Sequence, residues 1–322
     1  MRDAIENFPA QFSYKPEIVN FQNLKRRGIF IVAGMGGSHL GADIIQAYDP
    51  SLDIMVRSDY GLSSYPKSVL QNCLVIANSY SGDTEETIDV FKEAGDRGLP
   101  VAAITKGGEL IQLAKTLGAP YIELPPAALQ PRSALGYSVR AMLLMIGHTQ
   151  GLEETGALAS ALSALQFTEQ GRKLAGILKG KVPVIYSSDR NYAIAYNWKA
   201  KFNETGKIPA FFNVFPELNH NEMTGYDVLD STKELSRNFF FLFLNDAEDD
   251  PRVQKRMSLT KKLLQNRGLS CESIELEGDS RFYRIFSSLL VADWIAYYTA
   301  ELYGADSEQV PMVEEFKKLM AN

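Results

Sequence analysis

The chain has 322 residues, long enough for two domains with separate cores, and its 45% hydrophobic and 22% charged residues exclude disordered and fibrous classes. A formal net charge of −6, without a run of basic residues, argues against nucleic acid or an anionic membrane as partner. Cys73 and Cys271 are far apart and form no zinc or redox motif, so we expect two reduced core cysteines.

The first residues of the chain lack the apolar core of a signal peptide, and no apolar span of 18 residues occurs, so we expect a cytoplasmic protein without membrane contact.

The amino-terminal half alternates short β-rich runs with helical patterns. "GIFIVAG" precedes "SHLGADIIQAY", "CLVIANS" precedes "DTEETIDVFKEAGDRG", and "PVAAIT" precedes "GELIQLAKTLG". Strands separated by single helices predict a parallel sheet with right-handed crossovers.

The same alternation restarts after a change to small and polar residues in "QGLEETGALASALSAL". It includes "VPVIYSS", a helix through "YAIAYNWKAKFNE", "NFFFLFLN" and a long helix "RFYRIFSSLLVADWIAYYTAELYG". We therefore predict an α/β fold of two doubly wound parallel-sheet subdomains, residues 1–150 and 151–322. The second copy has "SSDRNY" where the first has "AGMGGSHLG", so a ligand that needs the glycines would bind only the first subdomain.

Glycines and hydroxyls cluster at two strand-to-helix turns of the first subdomain, "GMGGS" and "NSYSGDTEET". Glycine permits close approach to an anion, and hydroxyls with helix-start amides suit a phosphate monoester. The dinucleotide fingerprint is the alternative for the first turn, but His39 stands where its third glycine belongs. Helix capping by Ser81 or Asp83 is the alternative for the second. Two such turns in adjacent units favour a phosphate site made of Gly36, Gly37, Ser38, Ser79, Ser81 and Thr84.

These two turns resemble the sugar isomerase (SIS) domain, a phosphosugar-binding α/β module, and the doubled arrangement resembles the phosphoglucose isomerase superfamily. With "PR" before a helix, "FNE" and "LNHNE", the chain is most similar to the bifunctional phosphoglucose/phosphomannose isomerase branch, over nearly its whole length. The resemblance implies interconversion of glucose 6-phosphate, and of mannose 6-phosphate, with fructose 6-phosphate through an enediol. No metal and no cofactor are expected.

The reaction requires a base that shuttles a proton, a group that opens the ring, and a cation near the enediolate oxygen. The resemblance assigns the base to Glu204 and ring opening to His220, contributed by the partner subunit of a homodimer. Arg132, in "QPRSALGYS", is predicted to face the enediolate oxygen, the alternative being a surface arginine after a proline turn. Lys317 matches the family's terminal lysine, and Lys318 is its alternative.

The sequence also gives expectations for the other two histidines and for the acidic residues beside His220. The three histidines show no H-E-x-x-H spacing, so a zinc or iron mechanism is not predicted. We expect His39 to pack beside the glycine turn, the alternative being contact with the phosphate, and His148 to act as a dipole partner or C-cap at a helix end. Glu217 and Glu222 flank His220 and either orient its ring or serve as loop charges.

Two other functions use the same module. One is an aminosugar-phosphate isomerase or deglycase, which commonly needs an ammonia source or an attached amidotransferase that this sequence lacks. The other is a sugar-phosphate sensor, which would keep the phosphate cradle without needing "FNE" and "LNHNE". Solvent exchange at C2 of the sugar separates both from the isomerase.

Overall fold

Two parallel sheets organise the chain in the computed structural model, which describes residues 1–127 and 129–320. The first unit is Glu6–Ser163, and the second contains Met1–Ile5 and the chain from Ala164 onward. The predicted boundary near residue 150 lies at the start of a helix, Thr149–Ala161, that belongs to the first unit. This helix stays with the first unit because it packs on the 3-10 helix Phe8–Ser13.

The first unit carries five parallel strands, which are β1 (Ile29–Ala33), β2 (Asp53–Arg57), β3 (Cys73–Ser79), β4 (Val101–Thr105) and β5 (Tyr121–Glu123). Their order in the sheet is β2-β1-β3-β4-β5. All seven residues of β3 are buried, as expected for a central strand covered on both faces. The chain's helices up to residue 161 are α1 (Arg2–Glu6), α2 (Leu40–Tyr48), α3 (Lys67–Gln71), α4 (Glu85–Asp96), α5 (Gly108–Leu117), α6 (Leu135–Ile146) and α7 (Thr149–Ala161).

The second unit repeats this winding with four parallel strands, which are β6 (Val182–Ser188), β7 (Phe211–Phe215), β8 (Phe239–Asn245) and β9 (Ser270–Glu275). Their order is β7-β6-β8-β9. Its helices are α8 (Thr168–Ile177), α9 (Tyr192–Glu204), α10 (Lys233–Ser236), α11 (Pro251–Asn266), α12 (Arg281–Tyr303) and α13 (Pro311–Met320). The predicted fold of two doubly wound parallel sheets is confirmed.

The structure adds elements that the sequence patterns did not indicate. The edge strand β2 begins and ends with charged residues and buries only Ile54 fully, so it carries no continuous apolar signal. α8 has a polar composition and buries three residues, Gly171, Leu174 and Ala175, against the rest of the second unit. Within the described ranges, 1–127 and 129–320, no helix has the length and apolar character that a membrane span requires.

Both cysteines carry free thiols, as predicted, but only Cys73 belongs to the core. Cys73 is fully buried on β3, and burial raises the pKa of its thiol. Cys271 lies half-buried on β9, where desolvation raises its thiol pKa to about 11.

The close packing of α8 on α12 depends on Gly171 and gives a stability prediction. A Cβ at Gly171 would lie 2.3 Å from Trp294 Cβ and 3.0 Å from the Trp294 carbonyl carbon, whereas nothing lies within 4 Å of a Cβ at Gly176 on the same helix. We expect Gly171→Ala to lower the free energy of unfolding by about 1–3 kcal/mol through overpacking. Gly176→Ala should raise it by up to about 1 kcal/mol through helix propensity.

Urea unfolding followed by tryptophan fluorescence measures this difference, since both tryptophans, Trp198 and Trp294, are buried in the second unit. Equal effects of the two substitutions would contradict the α8–α12 contact.

Candidate functional site

The two turns singled out from the sequence lie at one edge of the first sheet. β1 and β3 are parallel neighbours with Ala33 opposite Ala77, so their carboxyl ends finish side by side. β2 lies on the other side of β1, and the winding direction therefore reverses between β1 and β3. Ligands of doubly wound sheets bind outside the carboxyl ends of the strands at such a switch point.

The glycine turn after β1 brings three backbone segments into close contact. Gly36 begins the 3-10 helix Gly36–Ser38 with φ of +50°, in the left-handed region that favours glycine. A Cβ at Gly34 would lie 2.8 Å from the carbonyl oxygen of Asn78, and one at Gly37 would lie 3.0 Å from the backbone nitrogen of Arg132. Glycine at these positions lets both β3 and the Arg132 segment approach the turn.

The hydroxyl turn after β3 is internally hydrogen bonded. Ser79 Oγ lies 2.8 Å from Thr84 Oγ1 and accepts a hydrogen bond from the Gly82 amide at 3.0 Å. Ser81 Oγ accepts from the Asp83 amide at 3.3 Å, and Ser38 Oγ accepts from the Tyr80 amide at 3.2 Å. The predicted phosphate ligands are thus brought together, with Ser38 and Ser79 buried, Thr84 half-buried and Ser81 exposed.

Capping of α4 does not explain this turn. Thr84 occupies the N-cap position of α4 but makes no capping hydrogen bond, and its hydroxyl pairs with Ser79 instead. Asp83 Oδ1 accepts from the Glu109 amide at 2.9 Å, near the start of α5. Gly82, at φ of +85°, permits this contact between turns, because a Cβ there would lie 1.8 Å from the Gly107 oxygen. Asp83 is therefore bound on the α5 side of the turn.

Arg132 lies beside the glycine turn and is 7% exposed, which contradicts the alternative of a surface arginine. It belongs to the 3-10 helix Pro131–Ser133, immediately before α6. Gln11 supports this segment by donating to the Ser133 oxygen at 2.6 Å and accepting from the Gly136 amide at 3.0 Å.

Two supporting residues were missed in the sequence. Gln11 sits in an apolar stretch, "FPAQFS", and nothing in that pattern indicates its distant partners. Asn78 lies within the quoted hydroxyl motif, and its amide donates to the Ser38 oxygen and, at 2.9 Å, to Ser138 Oγ. Its position at the buried end of β3 was the available signal.

The second sheet carries charged side chains at its own switch point, between β6 and β8. Arg281 Nη1 lies 2.7 Å from Asp246 Oδ2, both side chains being almost fully buried. Arg190 and Arg284 pair with Glu248 at 2.8 and 2.5 Å. Desolvation lowers the pKa of the Arg281 guanidinium to about 10. Internal ion pairs therefore fill the place where the first unit has glycines and hydroxyls.

The predicted proton-transfer residues lie in the second unit. Glu204 is the last residue of α9 and is half-buried. His220 is exposed after the 3-10 helix Glu217–Asn219, with its amide bonded to the Glu217 oxygen at 2.9 Å. Glu222 accepts from Tyr186 Oη at 2.5 Å and from Asn213 Nδ2, while Glu217 accepts from Asn221 Nδ2 at 2.8 Å. Both glutamates therefore brace the loop.

The other two histidines have local partners. His39 Nδ1 lies 2.7 Å from Asp43 Oδ2, one turn further along α2. His148 caps the start of α7, accepting from the Gly151 amide at 3.0 Å, and its Nε2 lies 3.2 Å from Asp49 Oδ2. The expected C-cap role of His148 is wrong, because Gly147 ends α6 in the left-handed conformation.

Lys317 lies on α13, an amphipathic helix with no buried residue. Its ammonium pairs with Glu314 Oε1 at 2.9 Å.

In the described part of the chain, no group of three or more His, Cys, Asp or Glu side chains is arranged to hold a metal ion. Two cavities of about 390 and 770 Å³ flank β9 in the second unit, and none of the predicted site residues lines them.

Comparison with known proteins gives concordant matches. The model of the bacterial phospho-glucose isomerase C-terminal SIS domain matches residues 167–320. The chain is 34% identical to the bifunctional phosphoglucose/phosphomannose isomerase of Caldicellulosiruptor bescii, over 100% of this chain and 99% of that protein. It is also 34% identical to the protein of the same name from Aquifex aeolicus, over 98% of this chain and 96% of that one.

A solved structure is similar at the level of the fold. The tagatose-6-phosphate ketose/aldose isomerase from Escherichia coli matches with a TM-score of 0.66 and 17% identity, over 96% of this chain and 89% of that one.

Ser81 provides a test of the predicted phosphate site, because the residue is exposed and its hydroxyl makes long local contacts, at 3.3 Å with the Asp83 amide and 3.5 Å with Ser79 Oγ. We expect Ser81→Ala to weaken the binding of inorganic phosphate about three- to tenfold, the equivalent of one lost hydrogen bond, without destabilising the fold. The control is Ser160→Ala, an exposed serine on α7 whose hydroxyl bonds its own helix. Titrations monitored by ³¹P NMR measure the affinity, and equal binding by the two variants would contradict the assignment.

Proposed function

The chain belongs to the bifunctional phosphoglucose/phosphomannose isomerase family, and from that premise we propose that it interconverts glucose 6-phosphate and mannose 6-phosphate with fructose 6-phosphate. The observation that carries the proposal is the 34% identity to a named isomerase over the full length of both chains. The chemistry of the first switch point is consistent with it, since neutral hydroxyls and backbone amides are suitable ligands for a phosphate monoester.

In this proposal the substrate phosphate binds to Ser38, Ser79, Ser81 and Thr84, with Gly36 and Gly37 allowing the backbone to approach. The absence of a cation among these six residues is physically reasonable. Several neutral donors at a helix start share the anionic charge, and the α4 dipole contributes about 0.3–1 kcal/mol. Binding energy at the phosphate can then hold C1 and C2 in position for proton transfer.

The proton chemistry is assigned to groups outside the hydroxyl turn. His220 opens the sugar ring, and the Glu204 carboxylate removes the proton from C2 of the open-chain aldose and returns it to C1 of the enediol. The Arg132 guanidinium stabilises the negative charge that develops on the enediolate oxygen. Lys317 is proposed to act near the sugar ring. Each atom of the aldose is retained in the ketose, so the sequence of steps requires no cofactor, and we propose that it proceeds without a metal.

A homodimer, with His220 contributed to the partner's site, is part of this proposal. Its support is the exposure of His220 on a loop that Glu222 braces, together with the exposed Phe211 on the edge strand β7 of the second unit. Exposed aromatic side chains at an edge strand are suited to burial between subunits. A cytoplasmic location remains a prediction from the sequence.

Replacement of the proposed base gives a direct test. We expect Glu204→Gln to reduce kcat by at least about 100-fold while fructose 6-phosphate still binds, because the amide cannot accept the C2 proton. The assay measures conversion of glucose 6-phosphate and mannose 6-phosphate with excess EDTA. Glu234→Gln, at an exposed glutamate paired with Arg237, is the matched control. Retained turnover in Glu204→Gln would remove Glu204 from the mechanism, and binding without turnover by the unmodified protein would favour a sensor.

The shared site predicts complementation between two inactive variants. When Glu204→Gln and His220→Asn chains are mixed, a hybrid dimer contains one site with both native residues if His220 acts on the partner. Random mixing should then restore about a quarter of the activity. No restored activity after subunit exchange, checked by mass spectrometry of the hybrids, would mean that His220 acts within its own chain.

A further inference from the structure

The chain reverses sharply where α9 ends at Glu204. The amides of Thr205 and Gly206 donate to the Lys201 oxygen at 2.9 and 3.0 Å, and the Ile208 amide donates to the Phe202 oxygen at 3.2 Å. A Cβ at Gly206 would lie 2.8 Å from that same Phe202 oxygen, so only glycine allows this closure. The backbone of the last helical turn is therefore fixed, and the Glu204 carbonyl is bonded by a side chain instead.

That side chain belongs to Lys207. Its φ of +57° is in the left-handed region, which directs the residue back toward the end of the helix. Its ammonium donates to the carbonyl oxygen of Glu204 and also to the carbonyl oxygen of Gln309. An ammonium has three donors and no acceptor, so one lysine can bind two carbonyls at once.

The second acceptor lies at the base of α13. Gln309 is two residues before Pro311, where α13 begins, and α13 carries Lys317. Because α13 has no buried residue, core packing does not fix its position. Asp306 Oδ1 accepts from the amides of Glu308 and Gln309 at 2.8 and 3.3 Å, so the segment has a defined shape to which Lys207 can bind.

The charge of Lys207 also suits its position. The last carbonyls of a helix carry partial negative charge, and an anionic residue at that end opposes the helix dipole. Glu204 is such a residue, and the ammonium of Lys207 donates a hydrogen bond to the backbone carbonyl of Glu204. Lysine near a helix C-terminus stabilises the final turn in this way.

We propose that Lys207 is a positioning residue that couples the end of α9 to the start of α13. It would hold Glu204 and Lys317 in a fixed relation within the second unit. This inference rests on the proposed function, because it gives Glu204 and Lys317 roles in the same reaction. Lys207 itself makes no contact with the substrate in this account.

The test compares three variants of the full chain. Lys207→Met removes the ammonium and keeps the aliphatic stem, while Lys207→Gly removes the ammonium but accepts the positive φ, so it controls for misfolding. Lys181→Met is the matched control, since Lys181 donates to the Arg237 oxygen at 3.1 Å elsewhere in the second unit. The readouts are kcat and KM for both aldose phosphates and hydrogen exchange of the amides in residues 312–320.

We expect both Lys207 variants to lose about 10- to 100-fold in kcat, because small misplacements of reacting groups lower the rate by such factors. Their KM values should stay within about twofold of that of the unmodified protein. Exchange in residues 312–320 should be faster than in the unmodified protein, and Lys181→Met should change neither readout. Unchanged exchange in the Lys207 variants would overturn the coupling, and faster exchange with unchanged kcat would overturn the positioning role. If the unmodified protein isomerises neither substrate, the proposed function fails while the exchange comparison still decides whether Lys207 couples the helices.

Discussion

The parallel pairing of β1 with β3 is the constraint on which the candidate phosphate site depends. In that register the two strands end side by side, so the turns that follow them share one edge of the sheet. The closest approaches at this edge are to backbone atoms, with Gly34 facing the Asn78 carbonyl and Gly37 facing the Arg132 segment. A side chain at either glycine would separate the hydroxyls from the helix starts, and the geometry of an anion site would be lost.

The two units have the same order of strand connections but carry different residues at their switch points. The first unit places neutral hydroxyls at its switch point, next to the buried Arg132. The second unit fills the same place with Arg281, Asp246 and their neighbours, which neutralise each other. Buried ion pairs of this kind contribute little net stability, because desolvation offsets most of their attraction. They tie the first residue of α12, Arg281, to Asp246, the residue that follows β8.

Much of the fold was predictable, because a buried parallel strand and an amphipathic helix each have a local pattern. β3, β6 and α9 have the predicted bounds, since apolar runs between turn residues define them without tertiary information. β2 was missed because an edge strand needs little apolar character, and the unit boundary differs because α7 is retained by packing on a distant segment. Tertiary contacts of this kind have no sequence signal.

The candidate site likewise contains residues that the sequence indicated and residues that it did not. The hydroxyl and glycine turns were found because their residue types crowd into short stretches. Gln11 and Lys207 were not found, because each acts through hydrogen bonds to carbonyls that any residue could provide. The role of His148 was assigned to the wrong helix end, since "IGHTQG" contains both the end of one helix and the start of the next, and periodicity does not separate them.

The most direct test of the account is proton NMR of glucose 6-phosphate incubated with the purified protein in D₂O containing EDTA. The account predicts deuterium at C2 together with new fructose 6-phosphate and mannose 6-phosphate, because a carboxylate that carries the C2 proton exchanges it with solvent during some turnovers. Binding of the sugar phosphate with neither exchange nor new sugar would contradict the isomerase assignment.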